Sequence, residues 1–149
     1  MNSIKDEHPI PFETELSHLK TYLSLEKMRF GDDLNIVYDI GVTDFTIPSL
    51  TVQPLVENAV KHGVGMKEDG GTVTISTKEY DDRYGVVVYD DGVGFDTTKP
   101  NPDTSSTHLG IENIKERIST MCNGDVTIES EAGKGTVSTI KIFKDTKGD

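Results

Sequence analysis

The sequence predicts an α+β fold: a mixed, mostly antiparallel sheet covered on one face by helices. Three observations carry this. A helical apolar stripe runs through residues 12–30. Short alternating or apolar runs mark strands near 33–40, 72–78, 86–89, 125–130 and 136–143. Two pairs of these runs follow one another with no room for a crossover, which requires antiparallel pairing.

Residues 1–11 are polar and end in Pro9-Ile10-Pro11, so they read as a tail or linker. Phe12, Leu16, Leu19 and Leu23 then follow at spacings that place them on one helix face, with Phe30 beyond and Gly31 as the stop. Leu34, Ile36, Tyr38 and Ile40 alternate with more polar residues. Gly41 to Pro48 reads as a connection. Val52, Leu55, Val56, Ala59 and Val60 recur at helical spacing, giving a second helix over about 50–62 that Gly63 ends. Pro54 is compatible with its first turn, where the missing amide has no internal partner.

Gly70-Gly71 opens the next strand, a turn at Asp81-Asp82 leads to Val86-Val87-Val88-Tyr89, and Asp90-Asp91-Gly92-Val93-Gly94 follows directly. Residues 97–107 contain no aliphatic side chain and no periodicity, and read as a mobile loop. A third helix is expected over about 109–121, and the last two strands are joined by Ala132-Gly133-Lys134-Gly135. The domain therefore spans 12–143, with 144–149 as a C-terminal tail.

The chain has 149 residues, the size of one ordinary domain. Its formal net charge is −11, and no Lys/Arg-rich run interrupts that field, which argues against nucleic acid and anionic lipid as partners. A lone cysteine, Cys122, cannot form an internal disulfide, as expected of a reducing compartment. No apolar run approaches the roughly 18 residues of a membrane span, and the N-terminus has no apolar signal core.

Four short constellations can carry chemistry. Asn58, Lys61 and His62 lie at i, i+3 and i+4 and would share a face of one α-helix. An amide oxygen, an ammonium and an imidazole suit a phosphate–Mg²⁺ group, although a solvated face with Lys61 paired to Glu57 satisfies the same spacing. Asp90, Gly92 and Gly94 follow an apolar strand, where a fixed carboxylate can accept from an exocyclic amine; an Asp-Gly turn is the plain alternative. A dinucleotide-binding fingerprint lacks its third glycine, and a calcium loop lacks its glutamate, since Thr98 stands there. His108-Leu109-Gly110-Ile111 opens the third helix, where free amides attract phosphate, or where a helix simply begins. Gly133-Lys134-Gly135-Thr136 reads alone as a turn.

The order and spacing of PLVENAVKHG, DDGVGFD, HLGIENIKERI and GKGT resemble the N, G1, G2 and G3 boxes of the GHKL ATPase/kinase superfamily. Within it they are most similar to the ATP-binding (HATPase) domain of LytS/YehU-type sensor histidine kinases, as is the opening ETELSHLKTYLSLEKMRFGDDL. The resemblance covers about residues 12–143. It implies an α/β sandwich with ATP between helices and a lid, and Mg²⁺ as companion ion. Asn58 would coordinate Mg²⁺, with Lys61 and His62 on phosphate. Asp90 would bind the adenine amino group, with Gly92 and Gly94 shaping the pocket floor. His108, Leu109, Gly110 and Ile111 would form the lid hinge, and Gly135 and Thr136 the far side of the adenine pocket. Catalysis would rest on Asn58 and Lys61.

One departure from the family pattern narrows the activity. Pro54 occupies the position where hydrolytic members carry a glutamate base. This disfavours a stand-alone serine kinase or ATPase, which remains the alternative together with a catalytically silent nucleotide-binding module. The Pro-His-Phe-containing phosphoacceptor motif of these kinases is absent; His8 and His18 read as surface residues. The expected partners are ATP, a dimerisation domain carrying the acceptor histidine and a response regulator, with no nucleic acid. The expected location is a cytoplasmic domain of a membrane-anchored parent.

Residues 95–108 are expected to form the nucleotide lid. So polar a segment cannot bury enough surface to offset an ordering entropy of roughly 1–2 kcal/mol per residue. Limited proteolysis with a nonspecific protease should cut here first, and Mg·ATP should slow the cut. First cleavage elsewhere, or cleavage indifferent to saturating nucleotide, would make the segment a plain connection.

Overall fold

A computed structural model describes residues 9–94 and 105–144, and within these leaves the side chains of residues 62, 63, 66 and 105–111 undescribed. The elements are β1 (Pro9–Pro11), α1 (Phe12–Phe30), β2 (Leu34–Ile40), β3 (Thr46–Pro48), α2 (Gln53–Asn58), β4 (Gly71–Glu79), β5 (Arg83–Asp90), α3 (Ser105–Met121), β6 (Gly124–Glu131) and β7 (Gly135–Phe143). The main sheet has the order β2-β4-β5-β7-β6. Its only parallel pair among the described strands is β2–β4, joined through α2; β4–β5, β5–β7 and β6–β7 are antiparallel. β4–β5 and β6–β7, joined by short turns, pair antiparallel, and the parallel β2–β4 pair has the long crossover that parallel strands need.

Alternation fixes the buried face. Val73 and Ile75 of β4, Val86 and Val88 of β5, Ile140 and Ile142 of β7 and Val126 of β6 are buried. They form one core with Leu16, Leu19 and Leu23 of α1, Leu55 and Val56 of α2, and Ile114 and Ile118 of α3. The opposite sheet face carries half-buried Thr74, Ser76 and Val87 and exposed Tyr89. Helices thus cover one face, the α+β sandwich that the periodicity predicts.

α1 has the predicted bounds. It ends at Gly31, whose φ of +60° lets its amide turn back to the Lys27 carbonyl. Its first residue is anchored by an aromatic stack: Phe12 lies 4.8 Å from Phe45, and Phe45 lies 4.7 Å from Tyr84, with nearly parallel rings. The Phe12 amide also donates to the Phe45 carbonyl at 2.8 Å.

Four boundaries differ from the sequence reading. Pro9–Pro11, read as part of the tail, pairs antiparallel with Thr46–Pro48, inside what read as a bare connection. Both segments are three residues long and proline-bearing, too short to show a period. The second helix is not one α-helix over 50–62. It starts at Gln53 and changes after Asn58 into a π turn over Ala59–Gly63, then a 3-10 turn over Val64–Met66. α3 begins at Ser105, four residues ahead of the predicted start, because its first turn is polar and carries no apolar period. Lys144, placed in the C-terminal tail, donates from its amide to Asp82 and pairs through Nζ with Glu79 at 2.8 Å.

Phe12 is fully buried and heads the aromatic stack. Phe12→Ala should therefore destabilise the domain by roughly 3–5 kcal/mol, read as a lower urea midpoint with an unchanged slope. A loss below about 1 kcal/mol would show that the stack is dispensable.

Candidate functional site

The strand β5 ends in the buried carboxylate of Asp90, which is 3% exposed. Val86, Val88 and Asp90 share the helix-covered face because alternate strand residues do. Asp90 lies opposite Thr136 in the β5–β7 ladder, so both side chains point under the helices at the same end of the sheet. Asp90 Oδ1 accepts from the Gly92 amide at 2.9 Å, the local turn that Asp-x-Gly favours. Burial pushes the Asp90 carboxyl up to about 6; the Gly92 amide opposes this, and the neighbouring Asp91 carboxylate adds to it.

The glycines of this region are required by close approach. Gly94 has φ +65°, and a Cβ there would stand 2.2 Å from the Glu131 carbonyl. Gly135 has φ +99°, and its Cβ would stand 2.1 Å from the Asp90 carbonyl. The Gly133 amide donates to the Val93 carbonyl at 2.6 Å. The Asp90–Gly94 loop and the Gly133–Thr136 turn, 40 residues apart in sequence, are thus packed backbone against backbone. Ser130, not singled out by sequence, secures the second: its hydroxyl donates to the Gly135 carbonyl at 3.0 Å and lies 2.8 Å from Thr136 Oγ1.

Asp91, to which the sequence assigns no role, is structural. Its Oδ1 accepts from the Thr72 amide at 2.8 Å, and Lys67 Nζ donates to its carbonyl at 3.0 Å. It closes the start of β4 against the end of β5.

Asn58 is half-buried at the last position of α2, and its side chain makes no hydrogen bond among the described residues. The π turn that follows packs against β5 and β7, and Val64 just after it lies with Asp91 against Gly71, next to the strand end carrying Asp90. The Val64 amide reaches back to both Ala59 and Val60, so Lys61 and His62 lie on a wider turn than the single α-helix that the sequence predicts. Lys61 is exposed; the His62 side chain lies outside the described residues. Glu57 does not pair with Lys61. It accepts from Gln53 Nε2 at 3.2 Å and, with Glu26, adds to the burial that pushes the Tyr22 hydroxyl up to about 12, so it faces α1.

The third constellation also moves. Since α3 starts at Ser105, Gly110 sits in its second turn and does not offer a free first-turn amide. The side chains of His108, Leu109 and Ile111, and residues 95–104 of the expected lid, lie outside the described residues. α3 packs on α2, β3 and β6. A cleft of about 1010 Å³ lined by Pro9, Phe45, Tyr84 and Ile142 involves none of the candidate residues.

Two further residues escaped the sequence reading. Glu15 is fully buried in α1, and its carboxylate accepts from the amides of Leu50, Val52 and Gln53. Arg117 of α3 donates to the Ser49 carbonyl. The only signal for Glu15 was its place within the apolar stripe, three residues after Phe12 and four before Leu19.

A family model described as Histidine kinase-, DNA gyrase B-, and HSP90-like ATPase matches residues 44–146, and the chain belongs to this family of ATP-binding domains. Within it, the chain is of the LytS sensor histidine kinase type. It is 31% identical over 133 residues to the sensor protein LytS of Oceanobacillus iheyensis, covering 82% of this chain and 23% of that protein. It is 44% identical over 121 residues to the sensor histidine kinase YpdA of Escherichia coli, covering 77% and 21%. It is 38% identical over 144 residues to the Bacillus subtilis protein YwpD, covering 92% and 51%. The chain therefore spans about half the length of one of these relatives and under a quarter of the other two.

Among solved structures it superposes on the histidine kinase domain of a blue-light activated kinase from Erythrobacter litoralis EL346 with a TM-score of 0.66 at 19% identity, covering 89% of this chain and 61% of that one. It superposes on the catalytic domain of histidine kinase ThkA with a TM-score of 0.65 at 13% identity, covering 91% and 95%. At these identities the likeness carries the fold. The described residues contain no helix long and apolar enough to cross a membrane.

The upward shift of Asp90 has a stability consequence. Its folded value, about 6, lies above the ordinary carboxylate value of 3.8. The nucleotide-free domain then holds this proton more tightly than the unfolded chain does. The contribution is present in full below 3.8 and is lost as pH rises through 6. Asp90→Asn should remove that loss, so its melting temperature relative to wild type should climb by a few degrees between pH 4 and pH 7. A difference that stays flat with pH would contradict the assignment.

Proposed function

We propose that this domain binds Mg·ATP and presents the γ-phosphate to a histidine on a dimerisation domain of the same kinase, from which a response-regulator aspartate takes it. The observation that carries the reading is the buried Asp90 carboxylate beside Thr136, at the sheet end that the Asn58 helix crosses. A buried acceptor at a strand end, floored by glycines whose Cβ atoms would collide with backbone, suits the amine-bearing edge of a flat ring such as adenine. Pro54 stands in the first turn of α2 and can neither take a proton nor bind metal, so no base for water attack occupies that place.

The residues present fit Mg²⁺. The Asn58 amide oxygen has no protein donor among the described residues, and a single oxygen ligand is what an ion that keeps several waters requires. When bound, the ion would neutralise charge on the phosphates. Phosphoryl transfer is largely positioning and charge stabilisation. In this chain Asp90 and Thr136 would orient the base, Asn58 the phosphate end, and Lys61 would supply a cation from the exposed side of the π turn. His62 and the His108–Ile111 segment are assigned to the phosphates and the lid hinge by their place in the motifs. We place the domain on the cytoplasmic side of a membrane-anchored kinase, where ATP and a response regulator are available.

Titration calorimetry separates the roles. Asp90→Ala should weaken ATP binding at least tenfold, about 1.4 kcal/mol, with or without Mg²⁺. Asn58→Ala should lose the Mg²⁺-dependent part of the affinity and keep adenosine binding. With γ-labelled ATP the chain alone should gain no acid-labile phosphate, and a supplied dimerisation domain should gain it. Unchanged affinity in folded Asp90→Ala, or label on His8 or His18, would overturn the reading.

A further inference from the structure

α2 lacks the usual means of starting a helix. Its N-cap is Val52, no side chain next to it caps the first turn, and Pro54 holds the second position. The amides there are satisfied from a different helix. Glu15, fully buried, accepts from Leu50 through Oε1 at 3.1 Å and from Val52 and Gln53 through Oε2 at 3.1 and 3.3 Å. The backbone is bent to make this possible. Leu50 has φ +59°, left-handed for a bulky residue, while its side chain is 55% exposed. Such a conformation persists where its surroundings over-determine it. Successive amides around a left-handed residue form a concave anion site, and here the protein supplies the anion.

The same turn is held from the other side. Arg117 of α3 donates to the Ser49 carbonyl, and the buried Thr51 hydroxyl donates to the Pro48 carbonyl at 2.8 Å. One turn, residues 49–53, therefore joins α1, α2 and α3. α2 continues from it for only about one and a half turns, some 7–8 Å, before Asn58.

We propose that Glu15 and Arg117 are positioning residues of the nucleotide site: together they clamp the 49–53 turn, which sets Asn58 in place relative to Asp90 and ties the α3 flank to the same anchor. Neither side chain touches the nucleotide; both act through the turn. The proposal rests on Asn58 as the Mg²⁺-dependent contact. Asp90 sits on the sheet and is independent of the clamp, so the two halves of the site should respond differently.

The experiment compares dissociation constants for ATP in Mg²⁺ and in EDTA, well below each variant's melting temperature, for wild type, Asn58→Ala, Glu15→Gln, Arg117→Met and Arg117→Lys. Glu15→Gln keeps size but loses the charge and faces an amide donor with an NH2 group. The Mg·ATP affinity should fall about tenfold or more, as for residues that orient a metal ligand, while the EDTA value stays within about twofold. Arg117→Met should behave the same way, and Arg117→Lys, which can still reach a carbonyl, should recover most of the loss. Should Glu15→Gln fail to fold, the Arg117 pair carries the test. A Mg²⁺ response unaltered in the folded variants, or equal losses in Mg²⁺ and EDTA, overturns the clamp. A wild type indifferent to Mg²⁺ overturns the Asn58 reading and the clamp together, so the two failures are distinguishable.

Discussion

A helix that begins with a proline in its first turn and no capping side chain beside it needs its amides satisfied from elsewhere. In this protein the requirement falls on α2, and the buried carboxylate of Glu15 meets it with three hydrogen bonds. A fully buried carboxylate without such partners would be costly. With them it becomes a cross-link between the first helix and the helix that carries Asn58. The strained backbone of Leu50 and the Arg117 contact to Ser49 belong to the same junction. The leading helix is thus tied into the same core as the sheet, and the aromatic stack of Phe12, Phe45 and Tyr84 fastens its start.

The other half of the site is made by exclusion of side chains. Gly94 and Gly135 let the loop after β5 and the turn before β7 lie against each other's backbone. This leaves Asp90 and Thr136 side by side across the β5–β7 ladder, on the helix-covered face. The carboxylate is held out of water, which raises its proton affinity and penalises the nucleotide-free fold. The chain as a whole carries net charge −11, so an anionic nucleotide has to be retained by local donors against the overall field.

Much of this was legible before the structure. Alternation and helical spacing gave the sheet, its covered face and the bounds of α1, because burial on one face forces a period on apolar residues. Asp90, Gly94 and Gly135 were legible because a carboxylate at a strand end and glycines in turns leave local marks. The π turn after Asn58, the early start of α3 at Ser105 and the β1–β3 pair left none. A π turn differs from an α turn by a single residue, a polar first turn has no apolar period, and three-residue strands are shorter than any period.

By itself the sequence determined which apolar faces are buried and which strands pair locally. Only the tertiary structure decided how the pieces meet. It set Asp90 against Thr136 across 46 residues of chain, turned Glu57 toward α1, recruited Asp91 and Ser130 as struts, and gave Glu15 to the helix that starts 38 positions later. These are long-range hydrogen bonds and backbone contacts. They depend on where distant segments arrive in space, and a period or motif records only what neighbouring residues do.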